Sequence, residues 1–299
     1  MNDPDAQRAA TSHVPVLLDA VVQHLRPGPG THMLDCTLGM GGHSAALLAA
    51  GASVVGVDRD EVALRLAAAR LSNYAERFTI RTNTFADAVE SAVSAGEQYD
   101  GVLADLGVSS LQLDDSARGF SIRASVPVDM RMDCAHGESA LGLIDRLDAD
   151  ELANVIYKYG EERLSRRIAR ALKQARSEGA DSGEALAAVI RRVVPGHHQR
   201  HPALRTFQAL RIAVNDELGQ LERLLTALPS VLKAGGRAVI ISFHSLEDRM
   251  VKQSFRALKV ANVFSDVAGR VVIADDAENA ANQRAASAKL RWAIAGDHS

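Results

Sequence analysis

Only two cysteines, Cys36 and Cys134, occur in 299 residues. That is too few for a disulfide framework, and their separation is not that of metal ligands. Cys36 lies in an apolar stretch that reads as a core strand, so neither thiol is expected to be essential. Long apolar runs are also missing. No uninterrupted stretch approaches the roughly 18 residues of a spanning helix, and the leader, residues 1–13, is polar and predicts a frayed terminus. These absences exclude a membrane-spanning protein and point to a cytoplasmic one. Charge of one sign is not in large excess either: 34 Lys and Arg stand against 37 Asp and Glu, a formal −3. A surface coated throughout with positive charge is excluded, but a local patch is not.

What the chain does contain is organised around Asp35-Cys36-Thr37-Leu38-Gly39-Met40-Gly41-Gly42-His43. Apolar His32-Met33-Leu34 precedes it and a helix-like run, residues 44–50, follows, so the glycines fall where a strand turns into a helix. A β-carbon there would obstruct a ligand, while backbone N–H groups and a helix N-terminus would receive its polar end. Ser53-Val54-Val55-Gly56-Val57 then ends in Asp58, about 20 residues past the start of the turn, where an open α/β site places an acid for ribose hydroxyls. A nucleoside-bearing small molecule is implied. Gly-x-Gly-Gly is not the full dinucleotide fingerprint, and a plain structural turn is the competing reading.

The rest of the first hundred residues alternates in the same way. Residues 16–25 have helical spacing and are stopped by Arg26-Pro27-Gly28-Pro29-Gly30. Residues 60–71 read as a helix with acids early and arginines late, 78–81 as a third strand, 86–95 as a helix and 99–105 as a fourth strand. Short strands alternating with helices predict parallel βαβ units. Over residues 106–133 neither periodicity survives, yet Leu111, Leu113, Phe120, Ile122, Met130 and Met132 need somewhere to pack. An ordered loop beside the strand ends is expected.

Helical patterns follow at residues 148–159, 161–176 and 182–194. Between Tyr157 and Arg211 twelve Lys or Arg face five Asp or Glu, a local +7 that leaves −10 for the remainder. Such asymmetry suits contact with a phosphate backbone. The alternative is that Arg163, Arg166, Arg167, Arg170 and Lys173 are the solvated face of one amphipathic helix. His197, His198 and His201 beside Arg200 read as a polyanion contact or an exposed turn, and no His/Cys/Asp group has convincing metal-ligand spacing. The first architecture then returns: one helix over 206–228, a strand over 238–243, a helix over 247–258, and late strands at 270–273 and 287–294 forming an antiparallel closing pair. The fold class is α/β. Residues 1–110 and 206–299 are expected to make one sheet domain, with residues 111–205 an ordered active-site loop and a helical insertion.

Asp58 and Asp105, each closing a strand, are placed by this reading at one crevice. A dehydrogenase would use such a crevice but prefers a cleaner glycine turn, and a methyl-transferring enzyme fits the basic insertion better. Longer motifs carry a closer likeness. Residues 35–44, Asp105-Leu106-Gly107-Val108-Ser109-Ser110 running on to Gln112 and Asp115, Arg118-Gly119-Phe120-Ser121, Asp129-Met130-Arg131-Met132-Asp133, Tyr159-Gly160-Glu161-Glu162-Arg163, His201-Pro202 with Arg205-Thr206-Phe207-Gln208-Ala209, and Ile241-Ser242-Phe243-His244-Ser245-Leu246-Glu247-Asp248-Arg249 together resemble the bacterial RsmH/MraW family. The likeness runs from His13 to about Arg291.

That resemblance implies a Rossmann-like S-adenosylmethionine-dependent methyltransferase sheet interrupted by a helical substrate-recognition domain. It implies transfer of a methyl group to the N4 amine of a cytidine in the decoding region of 16S ribosomal RNA, within the small ribosomal subunit. Carried over by motif, Gly41, Gly42 and His43 form the S-adenosylmethionine turn, Asp58 takes the ribose hydroxyls, and Phe85, Asp105 and Gln112 complete the cofactor contacts. Apart from the resemblance, Phe85 suits the core better, and His43 the core or a helix start. Asp105 has two candidate roles, orienting the cofactor and accepting a hydrogen bond from the cytosine amine. The Asn/Asp/Ser-Pro-Pro-Tyr/Phe signature of many amino-methyltransferases is absent, and the chain has no Pro-Pro pair. The loop 106–133 with Ser242, Phe243 and His244 is therefore expected to build the cytosine pocket, Phe243 stacking on the base and Ser242 or His244 orienting it or relaying a proton. Arg166, Arg167, Arg170 and Lys173 are the candidate RNA contacts. No metal is required.

The chain departs from the family pattern at Val126, Val128 and Ile122, and more consequentially at Asn282-Gln283-Arg284-Ala285-Ala286-Ser287, where one proline and one arginine are missing and the preceding segment is short. The different-class alternative is a noncatalytic RNA-binding or ribosome-assembly factor that retains a cofactor turn. The insertion helices suit internal packing or a homodimer alike.

Overall fold

The computed structural model describes residues 15–109, 112–113, 115–196 and 201–297. The polar leader and His197, His198 and Arg200 lie outside the described residues. Two compact units result, one from residues 1–107 with 218–299, the other from residues 108–217.

The first unit is built on seven strands: β1 (His32–Asp35), β2 (Ser53–Asp58), β3 (Phe78–Thr82), β4 (Tyr99–Asp105), β5 (Leu232–Ser242), β6 (Phe264–Val267) and β7 (Lys289–Ala295). They lie in the order β3-β2-β1-β4-β5-β7-β6. The first five pair in parallel, whereas β7 runs antiparallel to both β5 and β6. Their composition explains the placement. β4 and the second half of β5 are buried almost continuously, as central parallel strands covered on both faces must be.

Alternate strand residues feed two cores. Leu34, Val55, Val57, Val102, Ala104 and Ile240 pack with helices α4 (Phe85–Ser94), α10 (Glu217–Val231) and α11 (Ser245–Val260). Met33, Val54, Leu103, Val239 and Ile241 pack with α1 (Leu18–Leu25), α2 (Gly42–Ala49) and α3 (Glu61–Arg70). Local chemistry starts these helices where the strands release the chain. Asp60 caps α3 by accepting from the Val62 N–H, and Thr84 caps α4 by accepting from Asp87. In α10, Leu221, Leu224 and Leu228 are wholly buried, each contributing about 2 kcal/mol.

The second unit is helical: α5 (Ala140–Arg146), α6 (Ala149–Gly160), α7 (Ser165–Ser177), α8 (Gly183–Val193) and α9 (Ala203–Asn215). They share a core that also takes Val128 and Met130, with Phe120 and Ile122 against it. Phe120, Ile122 and Met130 of the irregular segment thus pack inside this unit, whereas Leu113 is exposed and Leu111 lies outside the described residues. Gly119 makes the tight return possible, with φ +70° and a Cβ position 2.5 Å from the Asp129 nitrogen.

Two expectations of secondary structure change. The helix expected over 206–228 is two helices, α9 and α10, because Asp216 takes φ +49° between them. The preceding residue, Asn215, is buried and accepts from the Met132 N–H while donating to the Met130 carbonyl. The late strand expected at 270–273 lies instead at Phe264–Val267. There buried Phe264 meets Phe255 edge-on at 5.6 Å, while the 270–273 segment makes one isolated bridge, Val272 to Leu290, and leaves Ile273 exposed.

Candidate active site

The parallel strands end, at one edge of the sheet, in Asp35, Asp58, Asp105 and Ser242. The strand order reverses between β1 and β4, so this edge is the switch point at which open α/β sheets bind ligands. At the end of β1, Asp35 is 1% exposed. Its Oδ2 accepts from the Ser44 hydroxyl at 2.7 Å and its Oδ1 from the Thr37 N–H at 3.2 Å. Burial pushes this carboxyl up to about 6, against the pull of those two bonds. The acid thereby clips the start of the glycine turn to the first turn of α2.

Gly41 is the N-cap of α2 at φ +76°, and a Cβ there would lie 2.9 Å from Leu71 Cδ1. No side chain caps this helix, so its leading N–H groups and dipole favour an anionic group at its N-terminus. At the end of β2, Asp58 Oδ2 accepts from Gly39 at 2.8 Å and Oδ1 from Asp60 at 2.9 Å. Burial raises its pKa although the backbone N–H groups of Asp60, Gly39 and Arg59 all oppose it. With three donors on a carboxylate that can accept about four, capacity remains for a hydroxyl donor.

Asp105 closes β4. Its own N–H donates to Thr37 Oγ1 at 2.6 Å, and the next N–H, of Leu106, to the Ile241 carbonyl at 2.9 Å. Oδ2 stands 3.8 Å from His43 Nδ1, and a quarter of the side chain remains exposed. Oδ1 is buried and has no hydrogen-bond partner. Burial pushes this carboxyl up to about 6. His43 opposes the shift, while the charges of Asp35 and Glu247 add to it. The other ring nitrogen of His43, Nε2, lies 3.0 Å from the Val16 carbonyl. A carbonyl only accepts, so Nε2 carries a hydrogen.

The end of β5 is more fully engaged in structure. Ser242 is 2% exposed and donates to the Lys289 carbonyl at 3.3 Å across the β5–β7 pair. His244 is the N-cap of α11: Nδ1 accepts from the Glu247 N–H, and the Glu247 carboxylate accepts from the N–H groups of Phe243 and His244. Its Nε2 approaches Glu247 Oε1 at 3.2 Å without the alignment of a hydrogen bond. Phe243 is half-buried, with Cδ2 3.5 Å from where a Gly107 side chain would begin.

Phe85 opens α4 immediately after its cap and is partly buried against the Ala88 and Val89 core. Gln112 belongs to the other unit, is 5% exposed, and accepts from the Ser109 N–H at 3.1 Å. On α7, Arg166, Arg167 and Arg170 are exposed, as is Arg163 just before it, and none has a carboxylate partner among the described residues. Lys173 departs from the expectation of a free cation. Its Nζ donates to the Ile144 and Asp145 carbonyls, both at 2.9 Å, and so caps the C-terminus of α5. Sequence reasoning passed over Thr37, Ser44 and Glu247, whose roles depend on backbone partners that no residue pattern displays.

The strand order, the glycine turn beneath an uncapped helix and the acid closing β2 define a Rossmann-like methyltransferase of the S-adenosylmethionine-dependent class. The residues fit that cofactor: a glycine turn leading into a helix N-terminus that no side chain caps, an acid closing β2, and the buried unpartnered oxygen of Asp105. Within that class the chain belongs to the MraW methylase family, whose model matches residues 10–295. It is 50% identical to "Ribosomal RNA small subunit methyltransferase H" of Sorangium cellulosum over 97% of this chain and 93% of that protein. Proteins of the same name from Anaeromyxobacter sp. and Synechocystis sp. are 48% and 46% identical, covering 93% and 98% of this chain and 96% of each relative. Among the described residues no helix is long and apolar enough to cross a membrane.

Proposed function

We propose that the chain methylates the N4 amine of a cytidine in the decoding region of 16S ribosomal RNA, acting on the small ribosomal subunit in the cytoplasm. The observation that carries this reading is Asp105, an acid at the end of β4 with a buried, unspent acceptor beside the cofactor turn. S-adenosylmethionine supplies an electrophilic methyl on its sulfonium. The turn Gly41-Gly42-His43 and the N-terminus of α2 would hold the carboxylate end of the cofactor, Asp58 would accept from its ribose, and Phe85 would contact its adenine.

Cytosine N4 is a poor nucleophile because its lone pair is delocalised into the ring. Asp105 Oδ1, accepting a hydrogen bond from the amine, localises density on nitrogen. Once the sulfonium gives up its methyl group, Asp105 Oδ1 would be the acceptor for the proton shed by N4. Phe243, half-buried at the end of β5, offers a face for the base. Ser242, bonded across the strand pair, orients this segment, His244 caps the helix through Nδ1 while its buried Nε2 has no hydrogen-bond partner among the described residues, and the proton route runs through Asp105.

The helical unit is the substrate-recognition part in this reading. Arg131, Arg146, Arg176 and Arg211 are paired with Asp129, Glu138, Asp145 and Glu217, whereas Arg163, Arg166, Arg167 and Arg170 are exposed and have no carboxylate partner among the described residues, before and along the first half of a helix with no acid in its first turn. That division supports phosphate contact by the second group. The test is incubation of the purified chain with methyl-labelled cofactor and unmodified small ribosomal particles, followed by nucleoside analysis. Label is expected on cytidine N4. Label confined to another base, or RNA binding without any transfer while the cofactor still binds, overturns the assignment.

A further inference from the structure

We infer that Thr37 is a positioning residue for methyl transfer, its hydroxyl standing in for the strand β1 carbonyl that Asp105 lacks and so fixing where the Asp105 carboxylate points. The inference rests on the catalytic reading of Asp105. In the β1–β4 ladder Asp35 is level with Leu103, and the Cys36 N–H donates to the Leu103 carbonyl at 2.8 Å. Beyond that point β1 has become the glycine turn, while β4 continues to Asp105. The Asp105 N–H would therefore have no strand partner on this side. Thr37 Oγ1 supplies one at 2.6 Å.

Thr37 is itself tied down, because its N–H donates to Asp35 Oδ1 at 3.2 Å, and Asp35 Oδ2 receives the Ser44 hydroxyl at 2.7 Å. One hydrogen-bonded series thus runs from the first turn of α2 through Asp35 and Thr37 to the acid. On the other side, the Leu106 N–H to the Ile241 carbonyl holds the chain directly after Asp105. Fixed on both sides, the side chain keeps Oδ1 buried and unspent rather than rotating it to a local donor. A catalytic hydrogen bond is sensitive to displacements well under an ångström, and the series fixes orientation without touching substrate.

The polar atom is what matters here, not bulk. Thr37→Val keeps the shape and removes the acceptor. Thr37→Ala leaves room for a water to satisfy the Asp105 N–H without fixing it, which keeps a folded variant in hand if the valine protein does not fold. Thr37→Ser restores the hydroxyl.

Single-turnover methylation of small ribosomal particles at saturating cofactor, with cofactor affinity by calorimetry and the thermal midpoint of each variant, tests this. Thr37→Val and Thr37→Ala should lower the rate by about tenfold or more, which is about 1.4 kcal/mol in the barrier, with cofactor Kd within about twofold of the parent. Thr37→Ser should return the rate to within about threefold. A folded Val or Ala variant with the parent's rate, or a loss confined to cofactor affinity, overturns the inference, as does a serine variant as slow as the alanine one. Asp105→Asn is measured in parallel. If it too has the parent's rate, the catalytic reading of Asp105 fails; if it is slow while the Thr37 variants are not, only the positioning role fails.

Discussion

A carboxylate with a buried oxygen that lacks a donor, as Asp105 Oδ1 does, is costly to keep charged. The group titrates at about 6 against an ordinary 3.8. Between those values the folded chain holds a proton that the unfolded chain has released, so this contribution to stability falls as pH rises from about 4 to about 6. Above pH 6 the whole penalty is present, about two pKa units at roughly 1.4 kcal/mol each. Asp105→Asn should therefore raise the thermal midpoint at pH 7.5, by the equivalent of up to about 3 kcal/mol, and the gain should shrink by pH 4.5. Activity should move the other way, because transfer needs the carboxylate: the parent's single-turnover rate should fall as pH drops through about 6, and the Asn variant should be slow throughout. An Asn variant less stable than the parent at pH 7.5 would show that Oδ1 has a donor in solution. Asp58 calls for a subtler substitution than removal, since it also receives the Gly39 and Asp60 N–H groups. Asp58→Asn keeps one acceptor for these and should weaken cofactor binding about tenfold or more in calorimetry, through loss of charge-assisted bonds to the ribose. Unchanged affinity in a folded variant would remove Asp58 from the ribose site.

At the scale of elements, α7 shows where a charge pattern stops being informative. Its i, i+3 and i+4 spacing gives the buried stripe Ile168, Ala169, Leu172 and Ala175 directly, and the arginines fall outside it. Lys173 belongs by sequence to the same basic run, yet its ammonium is spent on the last carbonyls of α5, a tertiary contact no local pattern encodes. The two groups should part in solution. Replacing Arg163, Arg166, Arg167 and Arg170 by Ala should weaken RNA binding and lower the slope of log K against log salt by up to about three, with helical signal and thermal midpoint kept. Lys173→Ala should leave that slope alone and cost about 1 kcal/mol of stability. An unchanged slope in the quadruple variant would make these arginines a solvated face. Other elements were hidden for comparable reasons. The apolar series over 206–228 runs straight through the break at Asp216, because one left-handed residue interrupts a helix without disturbing its hydrophobic period. Strand β6, Phe-Ser-Asp-Val, has a single buried side chain to announce it, and the helix-capping bond of His244 Nδ1 to the Glu247 N–H is a contact no residue pattern displays.

At the scale of the molecule, the alternation of short strands and helices made the sheet legible through β4, and the glycine turn with Asp58 and Asp105 marked the edge at which the proposed site lies. What residue order could not display is that this edge is completed by a strand from beyond the helical unit. β5 pairs with β4 from Gly101 to Asp105 and contributes Ala238 and Ile240 to one core and Val239 and Ile241 to the other. A chain ending at residue 231 retains the glycine turn, Asp58, Thr37 and Asp105, but loses β5, β7 and β6. β4 would become an edge with an open ladder, both cores would lose their central apolar strand, and Leu106 would lose the Ile241 carbonyl that fixes the chain after Asp105. Long-range burial of this kind cannot be recovered from local propensity, so the truncated chain should bind S-adenosylmethionine at least a hundredfold more weakly than the full chain in calorimetry and show no cooperative thermal transition for the sheet. An affinity within tenfold of the full chain would show that the first four strands hold the cofactor turn unaided, and that β5 serves only the methyl acceptor.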